Sequence, residues 1–161
     1  ELYADRPAHT WNWSNDEIVM GTEALDMAGL LKETSGKRWQ GLPSGTIMGH
    51  IHLHVASLTE AEEFYTKGLG FNIVLRYGQA TFMSTGGYHH HLAINTWAGL
   101  GAPPPEEHSA GMKYYTLIYP GKKEREEVVR RLKGLGAPVV EQESSIYTED
   151  PSGNRMYLSV R

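Results

Sequence analysis

The chain has 161 residues, a formal net charge of −4 and no cysteine. A chain of this length can bury the core of one ordinary domain. The acidic balance argues against a nucleic-acid partner, and no stretch reaches the ~20 apolar residues that a membrane-spanning helix needs. The lack of cysteine excludes disulfides, thiolate zinc sites and cysteine nucleophiles, and it fits a cytoplasmic protein. A metal site in this chain must therefore use nitrogen and oxygen ligands.

The first 46 residues differ in character from the rest. Residues 1–6 start without methionine and alternate like the end of a strand, so we expect them to close a module that precedes this sequence. Residues 7–46 contain Trp11 and Trp13, a short helix-like apolar run and a turn-rich stretch. We interpret this segment as a connector whose tryptophans either pack on a core or line a pocket for an aromatic ligand.

From Gly49 onward the sequence organises into two similar halves. The first half predicts a strand over residues 50–55 and then a helix, which begins where Ser57 and Glu60 have the spacing of a capping box. The helix is predicted to stop at Gly68-Leu69-Gly70-Phe71. Three further strands are predicted at about 73–77, 80–84 and 89–96.

The second half repeats this order. A strand is predicted over 112–119, and a helix over about 122–133 that stops at Gly134-Leu135-Gly136-Ala137. Three strands are predicted around 139–140, 146–148 and 155–160, with a final turn at Asp150-Pro151-Ser152-Gly153-Asn154. The repeated order predicts an α+β fold made of two βαβββ modules.

Histidine clusters on two of these strands. His50, His52 and His54 alternate along the first strand and share one face, while His89, His90 and His91 are consecutive. Neutral imidazole is the commonest ligand for borderline metals, and oxygen-handling iron sites combine two histidines with one carboxylate. The clusters indicate a metal site; a polar strand that faces solvent, or histidines hydrogen-bonded inside a barrel, is the alternative.

The sequence resembles the vicinal oxygen chelate (glyoxalase/bleomycin resistance/extradiol dioxygenase) superfamily in several features. They are the two modules, Gly49-His50 at the start of the first strand, Phe64-Tyr65 in the helix, the helix end at 68–71 and the turn at 150–154. Within this superfamily, the chain most resembles the C-terminal half of a two-domain catechol 2,3-dioxygenase. The resemblance implies one domain over 47–161, with modules at about 49–97 and 111–160 that form a curved mixed sheet, or half-barrel, around a metal-site cavity.

The resemblance also implies roles for individual residues. His50 takes the position of a metal ligand, and His90 that of the histidine that manages protons during ring cleavage; which of the three consecutive histidines faces the cavity depends on strand register. Where the family has a second metal histidine and a glutamate, this chain has Tyr114 and Tyr157. Glu1 aligns with Tyr157, so we expect Glu1 to be the carboxylate ligand if the preceding module pairs with module 49–97. If consecutive modules pair instead, the matched positions supply no carboxylate.

The implied function is extradiol cleavage of catechol-type aromatics by a non-heme Fe(II) enzyme, or by the half of one, in cytoplasmic aromatic catabolism. The metal could alternatively be Mn(II) or another divalent ion. The expected partners are a small aromatic diol, dioxygen and the N-terminal modules of the parent chain, and a homo-oligomer is compatible with the sequence. The alternatives are a glyoxalase-like metal-dependent isomerase or lyase, which metal identity would distinguish, and a non-catalytic binding or partner domain.

Overall fold

The structure, a computed structural model, describes residues 5–21, 24–106, 108–142 and 145–161. The chain divides into two compact units, residues 1–49 and 50–161. No helix among the described residues is both long and apolar enough to cross a membrane.

The first unit contains only short elements. A 3-10 turn at Ala8–Thr10 precedes a two-stranded hairpin of β1 (Trp13–Ser14) and β2 (Glu17–Ile18). The two residues that turn the hairpin, Asn15 and Asp16, both have positive φ, which a type I′ hairpin turn requires and which Asn and Asp tolerate. The predicted helical run forms α1 (Met27–Thr34), whose first turn is capped by the Asp26 carboxylate.

In the second unit, the first module follows the predicted order. Strand β3 (Ile51–His54) leads into α2 (Leu58–Glu63), and the Ser57 hydroxyl accepts a hydrogen bond from the Glu60 N–H at its start, which confirms the predicted cap. The helix continues as a π-helical segment (Phe64–Leu69) and stops at Gly70, whose φ of 91° suits glycine. The remaining strands are β4 (Asn72–Tyr77), β5 (Ala80–Ser84) and β6 (Leu92–Asn95).

The second module has the same topology. Its elements are β7 (Tyr115–Tyr119), α3 (Lys122–Gly134), β8 (Val139–Gln142), β9 (Ser145–Glu149) and β10 (Arg155–Val160). The first sheet has the order β3-β6-β5-β4 and the second β7-β10-β9-β8. In each sheet the first and last strands of the module pair in parallel and the other pairs are antiparallel. The predicted fold class, an α+β fold of mixed sheets from two βαβββ modules, is confirmed.

One hydrophobic core joins the two modules. It combines buried side chains of β3, α2, the π-helical segment, α3 and β10, among them Leu53, Val55, Phe64, Tyr65, Val128, Leu132 and Leu158. Where the helices meet, the Arg131 guanidinium donates to the Gly68 carbonyl. A Cβ on Gly68 would lie 2.8 Å from Leu132 Cδ2, so a larger residue here would require the buried Leu132 side chain to shift.

Two predicted strand boundaries are wrong. Strand β6 begins at Leu92, so His90 precedes the last strand of its module rather than lying in it, and Tyr114 likewise precedes β7. The backbone hydrogen bonds that connect this segment to the neighbouring strands begin at His91, whose N–H donates to the Met83 carbonyl and whose carbonyl accepts from the Ile51 N–H. Before that point the chain leaves the turn at Gly86 and Gly87, both with positive φ, and cannot yet run alongside β5.

Candidate functional site

The alternation predicted for the histidine strand is confirmed. His52 is exposed while the next residue, Leu53, is buried in the core, and His50 directly precedes the strand and is exposed. His54, at the other end of the strand, is half-buried. Because side chains two apart share a face of a strand, the three imidazoles form a row that runs along β3.

The structure brings His90 to this row. Its ring centroid lies 4.2 Å from that of His50, and with 8% of its surface exposed it is buried. His89 is also near, with its ring 5.9 Å from that of His50. His91 instead accepts a hydrogen bond from the Thr85 N–H and stacks on Tyr88. Of the three consecutive histidines, His90 is therefore the one that packs most closely on His50.

His89 and His90 are hydrogen-bonded to each other through their imidazole rings. Their Nδ1 atoms lie 2.8 Å apart, and since two imidazole lone pairs would repel, one of these atoms carries the hydrogen. The Phe82 ring stands edge-on to His90 at 5.2 Å and helps to bury it. Burial, and secondarily repulsion from His50, lowers the pKa of His52, which favours its neutral form.

The metal predicted from the sequence needs three converging donors. Across the described ranges, no group of three or more His, Asp or Glu side chains is arranged to hold a metal ion. The expected carboxylate, Glu1, lies outside the described residues. The described part of the chain thus brings His50 and His90 together but does not by itself fit a two-histidine, one-carboxylate centre.

In the second module, aromatic side chains occupy the corresponding positions. Tyr114 precedes β7 as His50 precedes β3, and its ring packs edge-to-face on Tyr157 at 5.0 Å. Tyr147 adds a third ring 5.6 Å from Tyr157. The sheet registers identify the first-module counterpart of Tyr157. Leu92 pairs with Ile51, the first residue of β3, and Met156 pairs in the same way with Tyr115, the first residue of β7. The residue after each, Ala93 and Tyr157, therefore occupies the same position in its module. Neither module therefore has a carboxylate at this position of its last strand.

A cavity of about 720 Å³ lies within the second unit, beside the row of histidines. Polar groups that line it include the side chains of His52, His54, Glu106, Ser109, Lys113, Ser152 and Asn154, and its apolar wall includes Pro103, Pro104 and Pro105. His54 Nε2 is buried and has no hydrogen-bond partner within the described residues. An unpartnered buried nitrogen is uncommon in folded proteins.

The Asp150 turn anchors the far end of the histidine strand. Asn154 Nδ2 donates to the His54 carbonyl at 3.0 Å, and the Ser152 hydroxyl accepts from the Ala56 N–H at 2.9 Å. The turn is itself organised by the buried Asp150 carboxylate, which accepts from the Ser152 and Asn154 N–H groups. The position of β3 is thus set by the second module.

A second bond reaches Asp150 from the π-helical segment of the first module. The Tyr65 hydroxyl, fully buried, donates to Asp150 Oδ2 at 2.9 Å. Burial of the Tyr65 phenol, with the nearby Tyr115 and Asp150, raises its pKa well above its usual value and keeps it a neutral donor. Sequence reasoning used Tyr65 and the 150–154 turn only as family markers and missed this network.

Trp97 is another residue that sequence reasoning missed. Its ring lies 4.7 Å from that of His52 although 64% of its surface is exposed. The Trp97 N–H donates to the Asn95 side-chain carbonyl, which fixes the turn after β6. An exposed tryptophan beside a histidine row forms an aromatic wall, and its place two residues after the end of a buried strand was the signal available in the sequence.

Comparisons with known proteins agree on a family. A model described as Glyoxalase/Bleomycin resistance protein/Dioxygenase superfamily matches residues 47–158. A curated protein from Bacillus subtilis (strain 168), named catechol-2,3-dioxygenase, is 47% identical over 154 residues, which cover 94% of this chain and 54% of that protein. This chain therefore spans about half the length of that relative.

Solved structures share the fold at lower identity. A lactoylglutathione lyase from Agrobacterium tumefaciens is 24% identical, with a TM-score of 0.55 over 74% of this chain and 96% of its own. A glyoxalase I from Leishmania major is 21% identical, with a TM-score of 0.56 over 71% of this chain and 86% of its own. At such identities the likeness concerns the fold alone.

Proposed function

The chain belongs to the glyoxalase/bleomycin resistance protein/dioxygenase superfamily, and from that premise we propose that it is part of an extradiol dioxygenase that cleaves catechol-type aromatics. The observation that carries the proposal is the contact between His50 and His90, at the ends of two strands that pair in parallel. The 47% identity to a protein named catechol-2,3-dioxygenase supports it. The activity is assigned to the complete natural protein that contains these residues.

We further propose Fe(II) as the metal, with His50 and Glu1 among its ligands; Mn(II) or another divalent ion is the alternative. His50 and Glu1 would be among the residues that hold the ion, which would supply a centre for binding the catecholate together with dioxygen. The described residues complete no three-donor group by themselves, and we propose that a histidine from a further module joins His50 and Glu1. The partner we expect to supply it is an N-terminal module, and a cytoplasmic location stays a prediction from composition.

The role proposed for His90 follows from its surroundings. It is buried, its Nδ1 is bonded to His89 Nδ1, and its ring centroid lies 4.2 Å from that of His50. In the tautomer in which His90 Nδ1–H donates to His89 Nδ1, His90 Nε2 has a free lone pair and can take the second catechol proton. The Phe82 ring limits competition from water at this position.

Substitution of the two histidines in the complete natural protein tests these roles. His50→Ala should remove iron and ring cleavage together, whereas His90→Ala should retain most of the iron and lower kcat, because ligands and proton carriers fail in different ways. His108→Ala, a change of the same kind at an exposed residue, is the control. Equal loss of iron in the first two variants would make His90 a ligand and contradict its proposed role.

A second candidate function is a non-catalytic partner or binding domain. The packed Tyr114 and Tyr157 rings favour it, because they occupy the second module's ligand positions with side chains unsuited to a divalent ion. If His50→Ala and His90→Ala both leave ring cleavage by the complete protein unchanged, this candidate is supported and catalysis belongs to other modules.

A further inference from the structure

Four consecutive ring-bearing residues, Tyr88-His89-His90-His91, precede strand β6, and the proposed function uses only the third of them. The last, His91, is anchored to the sheet. Its N–H donates to the Met83 carbonyl, its carbonyl accepts from the Ile51 N–H, and its Nδ1 accepts from the Thr85 N–H. These three bonds hold both the backbone and the ring of His91 in place.

Tyr88 connects this anchored ring to His89. The centroid of the Tyr88 ring lies 4.5 Å from that of His91 at an interplanar angle of 30°, and 4.2 Å from that of His89 at 31°. Rings that pack at such small angles restrict one another's rotation. His89 is half-buried, so the packing holds an imidazole that would otherwise be free to turn toward solvent.

His89 is bonded in turn to His90. Their Nδ1 atoms lie 2.8 Å apart, so one of them donates to the other. A neutral imidazole has one N–H and one bare nitrogen, and the bond at Nδ1 therefore also determines the state of Nε2. If His90 Nδ1 donates, His90 Nε2 has the lone pair that a general base needs. If His90 Nδ1 accepts, His90 Nε2 carries the hydrogen.

We propose that His89 is a positioning residue for His90: it accepts the His90 Nδ1–H and thereby keeps a lone pair on His90 Nε2. This role rests on the function proposed above, in which His90 Nε2 takes the second catechol proton. A histidine that acts as a base is held in its productive tautomer and orientation by a third group at its other nitrogen. The packing of Tyr88 on His91 gives His89 the fixed orientation that such a group requires.

Two substitutions of His89 in the complete natural protein test this role. His89→Phe keeps the ring and its packing on Tyr88 but has no nitrogen, whereas His89→Asn keeps an acceptor near the position of Nδ1. His89→Phe should lower kcat for catechol by ~10–100-fold, with KM and iron content changed by less than about twofold. His89→Asn should recover most of the lost kcat. Circular dichroism checks that both variants are folded.

His108→Phe, the same change at an exposed histidine, is the matched control and should keep kcat. An unchanged kcat in His89→Phe, or an equally low kcat in His89→Phe and His89→Asn, would overturn the positioning role. Loss of iron from His89→Phe would also overturn it, because His89 would then be a ligand.

A second measurement does not depend on activity. In the metal-free complete protein with isotope-labelled histidine, the chemical shifts of ring nitrogens distinguish protonated from bare atoms, and His90→Gln identifies the His90 signals. At about pH 8, where an ordinary histidine is neutral, His90 should carry its hydrogen on Nδ1 in the natural protein and in His89→Asn. In His89→Phe it should be a mixture of both tautomers.

A hydrogen on His90 Nε2 in the natural protein, or unchanged His90 shifts in His89→Phe, would overturn the proposal. If the natural protein cleaves no catechol, the dioxygenase proposal falls, and the nitrogen shifts alone then decide whether His89 sets the tautomer of His90.

Discussion

Replacement of Asp150 by asparagine should loosen the connection between the modules. Asp150 Oδ2 accepts from the Tyr65 hydroxyl and from Asn154 Nδ2, and Oδ1 accepts from two backbone N–H groups. An amide has one oxygen and one NH₂ group, so whichever way it is oriented two donors lose their acceptor. Hydrogen bonds to a charged group contribute about 1.5–3 kcal/mol each. We expect Asp150→Asn to lower the free energy of unfolding by about 3–5 kcal/mol.

Part of the effect of Asp150 should depend on Tyr65, whose hydroxyl donates to it. Tyr65→Phe keeps the buried ring and removes the hydroxyl, and should cost about 1–2 kcal/mol, since Asp150 retains three donors. In Asp150→Asn the Tyr65 hydroxyl can lose its stronger acceptor and keep only the 3.2 Å contact with the Tyr115 hydroxyl. The double variant has no such hydroxyl, so its destabilisation should fall short of the sum by about 1 kcal/mol or more. Urea unfolding followed by far-UV circular dichroism measures all four proteins. Strict additivity, or an Asp150→Asn cost below about 1 kcal/mol, would refute the proposed coupling.

Three further results are expected. Gly68→Ala should destabilise the fold by about 1–3 kcal/mol, because its Cβ would lie 2.8 Å from Leu132 Cδ2. Gly134→Ala is the control: a Cβ there meets nothing within 4 Å, so the variant should be neutral or more stable by up to about 1 kcal/mol. Thermal unfolding measures both variants, and equal effects would contradict the packing argument. Burial, and secondarily repulsion from His89, lowers the pKa of His91 below 6.5 in the folded state. The unfolded chain therefore binds the proton more readily than the folded one. The protein should be most stable above about pH 6.5 and should lose stability as the pH falls below it. His91→Asn should therefore lose less unfolding free energy than the natural chain between about pH 7.5 and 5.5, and an unchanged difference would argue against this role. The 161-residue chain alone should bind iron weakly, because its described residues hold no three-donor group; stoichiometric tight iron in elemental analysis would show that the site is complete without additional modules.

Much of the fold is determined by interactions between residues close in sequence. The Ser57 cap bonds to a residue three positions later, and Gly70 ends its helix through its own φ. Such signals act before any tertiary contact forms, so the order of helices and strands could be predicted from the residues alone. The alternation that places His50, His52 and His54 on one face is equally local, because it follows from the pleat of a single strand.

The candidate site depends on tertiary structure. His90 contacts His50 because β3 and β6 pair in parallel and because the turn before β6 directs one of three consecutive histidines toward that strand. Sequence alone could not choose among the three, since a shift of one residue in register reverses which face each occupies.

The sequence by itself determined the α+β fold class, the order of strands and helices, and the clustering of histidine on one strand. The tertiary structure alone decided the partner of His50, the unpartnered nitrogen of His54, and the bond between Tyr65 and Asp150, which joins residues 85 positions apart. The physical reason is the range of the forces involved. Helix caps, turns and strand alternation are set by neighbours along the chain, whereas cavities and buried hydrogen bonds exist only where distant segments pack together and exclude water.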